Sequence, residues 1–345
     1  MTKKKSKHPT LSEVAKKAGV GTTTVSRVIN GGQRVDPQTL ARVQKVIESL
    51  GYMPNQAARI LKGDRTRSIG FVIPSIADPF FSSCAEAAQA IARAHDSLLI
   101  VLTTQNDAHA EVESVNVLLR HRADGFILAP GNSQSQVLRT LLKRVQVPVV
   151  TLDRPMEGMP IPAVVADNFA GARMATRHLI DHGYRRIACL TGEPTLYTLH
   201  ERIKGYQKEI ETAGLEMILD ASIKDYRSAE YAVESVLAAP NPPDALLTLK
   251  NSTTIFVFEA LQKLGISVPE RVALLGYDDF ELAATVRPSI SVVQQPIEAL
   301  GRTAAELLFS RMLDGAGAEK DRGKMVELHT RLIPRASCGC RPPQN

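Results

Sequence analysis

Apolar positions in the first fifty residues recur at helical spacing. Leu11, Val14, Ala15 and Ala18 share one helix face, Gly19 supplies the backbone freedom of a sharp turn, and Val20 plugs that turn. Val25, Val28 and Ile29 form a second apolar face, which leaves Thr22, Thr23, Ser26 and Arg27 pointing outward. Thr10 and Glu13 stand in capping-box spacing at the start of the first helix. Asp36-Pro37 is an N-cap followed by Pro at the first helical position, opening a third amphipathic helix to about Leu50. The spacing predicts a helix, a tight turn, a second helix and a supporting third. It fits an ordinary packed helix pair with a wet threonine face. It also fits a reading helix, whose short hydroxyls and guanidinium reach base edges and phosphates in a DNA major groove.

From Ser68 onward the period changes. Short β-rich runs at 69–73, 98–102, 125–128 and 147–152 alternate with helical stretches at 80–94, 110–120 and 135–144. The rhythm then repeats, with helices at 168–182, 199–213, 229–238 and 252–264 and strands at 187–191, 245–249 and 272–276. This βαβ order predicts two doubly wound parallel sheets, each covered on both faces. Ligands of such sheets bind outside the strand carboxyl ends, so function is sought in the loops after Ile73, Leu152 and Gly276.

Charge sharpens the division. Residues 1–63 carry 12 Lys or Arg against 3 Asp or Glu, whereas the other 282 residues carry 30 against 33. Positive charge is thus concentrated on the helical segment, as phosphate neutralisation requires. A basic arm at Lys3, Lys4, Lys5 and Lys7 adds non-specific attraction at most. No run is apolar enough to span a membrane, and the basic start is followed by no apolar signal core, so a cytoplasmic protein is expected. Cys84 and Cys189 sit inside apolar patterns as small core residues. Cys338 and Cys340 form a C-x-C in the tail with no His or Cys nearby in sequence, and neither a metal site nor a cofactor is expected.

The run TLSEVAKKAGVGTTTVSRVIN, followed two dozen residues later by LGYMPNQAARILK, resembles the headpiece and hinge of the LacI/GalR family of bacterial transcriptional regulators. The resemblance extends over essentially the whole chain, whose α/β part is similar to periplasmic sugar-binding proteins. It implies a helix-turn-helix DNA-binding headpiece at 8–54, a hinge helix and linker at 55–66, and an effector-binding and dimerisation core of two α/β subdomains at 67–345. It places Thr22 and Thr23 on bases, with Thr24, Ser26, Arg27 and Arg34 nearer the backbone. The implied hinge helix runs from Asn55 to Lys62, with Leu61 as the minor-groove wedge and Lys62 as in the purine-repressor type. Gly21 departs from the Ser that many members carry as helix cap, and gives a slightly looser start. Segments 291–295 and 163–167 look like crossovers between the halves.

In the cleft, the resemblance makes Asp153 and Asp278 acceptors for sugar hydroxyls, a task that suits carboxylate lone pairs. Arg202 matches an arginine that forks onto a ligand oxygen or carboxylate. Ser75, Asp78, Phe80, Thr198 and Gln295 match wall positions, with Phe80 a stacking surface. The alternatives are local: Asp278 as a backbone cap, and Arg202 paired with Glu201 or Glu209 on a wet helix face. Lys250 stands where many members have an Asn-Asp pair. It either pairs with Asp278, recognises an anionic ligand group, or turns out to water.

The chain contains no GxxxxGK[ST], GxGxxG after a strand, GxSxG or HExxH, which weighs against a sugar-handling enzyme. The expectation is a repressor, not an enzyme, that binds a pseudo-palindromic duplex operator as a homodimer under control of a sugar, sugar acid or sugar phosphate, with a nucleobase corepressor as the alternative. The tail RASCGCRPPQN has no leucine heptads, which favours a dimer over a tetramer.

Overall fold

The computed structural model describes residues 9–29, 31, 34–53, 65–192, 194–313 and 323–340. The expected hinge helix, with Asn55, Leu61 and Lys62, lies outside the described residues. The chain divides into two compact units, Met1–Thr66 and Arg67–Asn345.

The first unit is a three-helix cluster of α1 (Leu11–Ala18), α2 (Thr22–Ile29) and α3 (Pro37–Leu50). The capping box forms as the sequence predicts: the Thr10 amide donates to Glu13 Oε2 at 2.7 Å and the Glu13 amide to Thr10 Oγ1 at 3.3 Å. Gly19 ends α1 in the left-handed region (φ 65). Asp36 caps α3 by accepting from the Thr39 amide at 2.9 Å, and hydrogen bonds from Thr39 hold its carboxyl below the usual range. Val14, Val25 and Val43, all fully buried, are the points where the three helices meet, and Val20 packs against them. Burying each such side chain contributes on the order of 1.5–3 kcal/mol, which holds a threonine-rich α2 that propensity alone does not favour.

The second unit contains two sheets with the same strand plan. In the first, β1 (Ser68–Ile73), β2 (Leu98–Thr103), β3 (Gly125–Leu128), β4 (Val149–Leu152) and β5 (Ala163–Ala166) are parallel and interleave with helices α4 (Pro79–Ala94), α5 (Ala108–Arg120) and α6 (Gln136–Leu142). The second follows with α7 (Asn168–Asp181), β6 (Ile187–Leu190), α8 (Tyr197–Thr212), β7 (Ile218–Asp220), α9 (Tyr226–Leu237), β8 (Ala245–Thr248), α10 (Asn251–Lys263), β9 (Ala273–Tyr277) and β10 (Ser291–Gln294). Helix α11 (Ile297–Leu313) returns to the first half, and β11 (Met325–Leu328) and β12 (Arg331–Ile333) close the two sheets. The strand orders are β11-β5-β4-β3-β1-β2 and β12-β10-β9-β8-β6-β7, so β4 and β9 hold equivalent places. Strand alternation builds the layers: Ile187 and Cys189 join the core under α7 and α8, while Ala188 and Leu190 join that under α9 and α10.

Four expectations change. The segment at 291–295 is a strand of the second sheet for most of its length, and the chain passes between halves at Gln295-Pro296. A further passage, at His329-Thr330 between β11 and β12, was not foreseen, because two edge strands of three and four residues leave almost no periodic signal. β12 is also antiparallel to β10, pairing Val292 with Ile333, in a sheet expected to be parallel throughout. The C-x-C tail is not isolated either. The fold brings His178 Nε2 to 3.2 Å from Cys338 Sγ and His182 Nε2 to 3.1 Å from Cys340 Sγ, contacts across 158 or more residues that sequence proximity hides. Burial opposes ionisation of Cys338, but hydrogen bonds with His178 and Ser291 outweigh it and bring the thiol to about 6. No helix among the described residues is long and apolar enough to cross a membrane.

Helices α7 and α8 approach closely at Gly205, where a Cβ would overlap the Phe169 carbonyl oxygen and stand 2.9 Å from Ala172 Cβ. Arg173 of α7 donates to the buried Glu209 of α8 at 2.9 Å, and Arg177 pairs with the same carboxylate. In an open helix Gly→Ala adds up to about 1 kcal/mol of stability. Gly205→Ala is expected to do the reverse, lowering stability by about 1–3 kcal/mol because the helix backbones must part, as read from the urea unfolding midpoint.

Candidate functional site

On the first unit, α2 presents its polar side outward. Thr22, Thr23 and Arg27 are exposed and Thr24 and Ser26 half-exposed, while Val25 and Val28 turn inward. Gly21 leaves its carbonyl to accept from Thr24 and Val25 at 3.0 and 3.2 Å, and the amides of Thr22 and Thr23 lie in the free first turn. Such an end suits an anionic oxygen. Arg34 is exposed in the loop to α3, with left-handed backbone (φ 65).

On the second unit, the carboxyl ends of both sheets open into one cleft of about 170 Å³. All nine residues singled out for it line its wall: Ser75, Asp78 and Phe80 at the start of α4, Asp153 after β4, Thr198 and Arg202 on the first turns of α8, Lys250 before α10, Asp278 after β9 and Gln295 at the passage to α11. Asp153 and Asp278 occupy equivalent sheet positions, and both have left-handed backbone (φ 69 and 68). Aspartate tolerates that region better than bulkier residues, and the turn aims each carboxylate along the strand end.

Arg202 organises the second half of the cleft. It is buried and donates through Nε to Asn168 Oδ1 at 2.7 Å and through Nη1 to the Leu249 carbonyl at 2.7 Å and to Asp278 Oδ2 at 3.2 Å. The Tyr277 ring lies 3.8 Å from its guanidinium carbon. Neither surface pairing weighed for it holds: Glu209 serves Arg173 and Arg177, and Glu201 pairs with Lys204 at 2.7 Å. Three of its five N–H donors are committed in these bonds, and the residue lines the cleft. The other oxygen of Asp278 accepts from Gln295 Nε2 at 2.6 Å. Gln295 Oε1 is buried with no partner among the described residues, an acceptor available to a ligand hydroxyl or N–H.

The first half holds a matching pair that the sequence reading did not single out. Arg154 is buried and donates to Asp153 Oδ2 at 3.0 Å and to Asn106 Oδ1 at 2.6 Å. Gln105, Asn106 and Asn251 also line the cleft. The signal was present: Gln105-Asn106 follows the run at 98–102, a strand end of the kind already searched elsewhere. Phe80 and Phe81 meet edge to face at 4.9 Å. Asp78 caps α4 by accepting from the Phe80 amide at 3.1 Å, and Ser75 Oγ accepts from Ala77 at 3.2 Å, so both shape the wall as well as face it.

Lys250 is half-buried and N-terminal to α10, a helix start with no side-chain cap. It does not pair with Asp278, whose oxygens are taken by Arg202 and Gln295. Among the described residues no carboxylate lies within ion-pair distance of its ammonium. The start of α8, at Leu196, likewise lacks a side-chain cap. Two uncapped helix starts and one uncompensated cation therefore border the same space.

Residues 10–55 match the family model of the bacterial regulatory proteins, lacI family, and residues 176–338 match that of a periplasmic binding protein-like domain. The chain is 31% identical over 339 residues to the HTH-type transcriptional repressor PurR of Aliivibrio fischeri (strain ATCC 700601 / ES114), covering 96% of this chain and 99% of the relative. It is 28% identical over 307 residues to the ribose operon repressor of Haemophilus influenzae, covering 88% and 92%. Among solved structures it resembles the lac repressor dimer bound to operator and the anti-inducer ONPF, with TM-score 0.86, 25% identity and 96% and 99% coverage. It also resembles a complex of the transcriptional regulator CelR with cellobiose, with TM-score 0.70, 30% identity and 95% and 99% coverage.

The electrostatics of Asp153 are testable without a ligand. Burial raises its pKa, and Arg154 and Arg202 offset only part of the rise. A raised native pKa means that its contribution to stability is full below about 3.9 and is lost as pH climbs through the native value. Asp153→Asn is expected to flatten the stability decline in that acidic window, measured by urea unfolding at stepped pH. Carboxyl-carbon NMR should show Asp153 titrating above the ordinary aspartate range.

Proposed function

The chain belongs to the lacI family of bacterial regulatory proteins, DNA-binding repressors under small-molecule control, and we propose that its effector is a polyol carrying one anionic group, a sugar acid or sugar phosphate, bound in the cleft between the two α/β halves. The observation that carries this reading is Lys250. Asp153 has Arg154 and Asp278 has Arg202, so each acid has its own arginine, whereas the Lys250 ammonium stands at an uncapped helix start with no carboxylate of the described residues within ion-pair distance. An anionic ligand group satisfies both. The carboxylate oxygens and Gln295 Oε1 supply acceptors for hydroxyls, and Phe80 with Phe81 supplies one apolar wall. A flat nucleobase fits less well, since the aromatic surface is on one side only.

The protein acts as a cytoplasmic homodimer on a pseudo-palindromic operator. A single small headpiece offers few contacts, and a two-fold axis lets two of them read two half-sites. The dimeric lac repressor neighbour supports that assembly. Thr22 and Thr23 contact bases. Thr24, Ser26, Arg27 and Arg34 hold the phosphates, and Asn55, Leu61 and Lys62 complete the contact through the hinge.

Base and phosphate contacts separate on substitution. Thr22→Ala should cost on the order of 1–3 kcal/mol on the preferred half-site and relax the choice of one base pair, whereas Arg27→Ala should weaken all sequences alike and reduce the salt slope by about 1. Selection from a randomised duplex pool returning the parental operator for Thr22→Ala would remove that residue from base readout.

Calorimetry across neutral sugars, sugar acids, sugar phosphates and nucleobases decides the effector. Saturable binding of an anionic sugar, weakened at least about tenfold in Lys250→Gln, is the expected result, that factor corresponding to about 1.4 kcal/mol. Binding of a neutral sugar alone, undiminished in the variant, would overturn the anionic class. Binding of a nucleobase alone would make the protein a corepressor-dependent regulator instead.

A further inference from the structure

Away from the cleft, the C-terminal end of α7 meets the end of the described chain in a cluster that regulator function does not use. His178 and His182 are four residues apart, so their rings leave one helix face, with centroids 4.2 Å apart. The turn Ala336–Cys338, followed by Gly339 in left-handed conformation (φ 87), folds the chain back so that Cys338 and Cys340 both reach that face. His178 Nε2 lies 3.2 Å from Cys338 Sγ and 3.5 Å from Cys340 Sγ, and His182 Nε2 lies 3.1 Å from Cys340 Sγ. The candidate ligand atoms of His178, His182 and Cys340 all fall within 4.8 Å of one another.

From these contacts we infer that His178, His182, Cys338 and Cys340 form a tetrahedral N₂S₂ site for zinc or a similar soft divalent ion. With Zn–S near 2.3 Å and Zn–N near 2.0–2.1 Å, neighbouring ligand atoms of a tetrahedral site stand about 3.4–3.8 Å apart. The three His–Cys separations lie within a few tenths of an ångström of that, and Cys338 Sγ, which contacts His178 but stands outside the 4.8 Å group, must shift inward to complete the tetrahedron. The ring orientation fits as well. His182 Nδ1 is 2.8 Å from the His178 carbonyl, which can only accept, so the proton sits on Nδ1 and the Nε2 lone pair faces the Cys340 sulfur. A backbone carbonyl holding the distal ring nitrogen of a ligating histidine is a common outer partner of a metal. The Ser291 hydroxyl, 3.0 Å from Cys338 Sγ, is placed to support the second sulfur.

Four protein ligands close the site, and a closed site is structural rather than catalytic. Its place says what it holds. Ser337 Oγ donates to the Leu274 carbonyl at 2.6 Å and accepts from the Ser291 amide at 2.8 Å, so the turn carrying the cysteines is already bonded into β9 and β10. A metal adds a bond from that turn to α7, the helix that follows the first passage between halves. Both sulfurs bind as thiolates, so binding releases whatever thiol protons remain.

The test uses the full-length chain, reduced and freed of metal by a chelator, then titrated with Co²⁺ and Zn²⁺. One Co²⁺ per chain with tetrahedral d–d bands and a thiolate charge-transfer band, displaced by Zn²⁺, is expected, with a rise in Tm on adding Zn²⁺. His182→Ala and Cys340→Ser alter the more exposed ligands and leave Cys338 in place. Each should weaken Zn²⁺ at least about 100-fold, beyond the about 10–100-fold of losing an outer partner, and remove the rise in Tm while circular dichroism stays unchanged. Absence of saturable Co²⁺ uptake by the reduced chain, an octahedral spectrum, or parental uptake in both variants would overturn the site.

Discussion

The Arg202 guanidinium is the fixed charge around which the second half of the cleft is assembled. It reaches the start of α7 through Asn168, the end of β8 through the Leu249 carbonyl, and the end of β9 through Asp278, while Asp278 holds Gln295 at the passage to α11. Four chain segments far apart in sequence are thereby registered by one side chain. Burying an arginine and an aspartate together is costly, and the pair is supported here by further partners of the guanidinium: the Asn168 amide oxygen, the Leu249 carbonyl and the Tyr277 ring. Loss of one member of such a pair costs about 3–5 kcal/mol because the other is left charged and dry. The geometry of the ligand wall and the stability of this half therefore rest on the same contacts.

The first half repeats the arrangement with different connectivity. Asp153 stands on β4 as Asp278 stands on β9, but its arginine is the next residue, held by Asn106 from the end of β2. A ligand spanning the cleft meets one preset acid–base pair from each half. Because the pairs are satisfied internally, such a ligand adds hydrogen bonds to them without breaking them, and whatever differential affinity it has for two arrangements of the halves comes from bridging them. The passages at Asp167, Gln295-Pro296 and His329-Thr330 are the described places where the backbone can absorb such a change, and one of them carries a wall residue, Gln295.

The legibility of the sequence followed the range of the forces involved. Capping boxes, the Gly19 turn and the apolar faces of α1 to α3 act over a few residues, so the headpiece could be read directly. Strands β1, β6 and β8, buried on both faces, were equally clear from their continuous apolar runs, whereas β5, also buried but only four residues long, was read as a crossover between the halves. The edge strands β7, β11 and β12 were not, since three or four half-exposed residues carry no such run. At the site, the resemblance to a family supplied Arg202 and Asp278, yet whether Arg202 lay on a wet face or in the cleft depended on α7 packing over α8, which spacing along one helix does not encode. Arg154 was overlooked beside Asp153 for the same reason: its partner Asn106 is 48 residues away.

Lys250 shows how a local departure gains meaning only in three dimensions. As a residue in Leu249-Lys250-Asn251-Ser252, it is a long cation able to turn to water at small cost. In the fold it is the N-cap of a helix and makes no side-chain cap hydrogen bond, although Asn251 Oδ1 accepts from the Ser252 amide at 2.7 Å, in a cleft where Asp153 and Asp278 already have partners. Its own charge and the positive end of α10 reinforce each other, and neither is compensated by the described protein groups around it. An effector that brings negative charge to that corner gains from both, whereas a neutral one must leave the ammonium to solvent. On the proposed reading, selectivity among polyols sharing the same hydroxyl contacts falls to one side chain and one helix start, while the Asp278–Arg202 network that holds the wall remains the same for all of them.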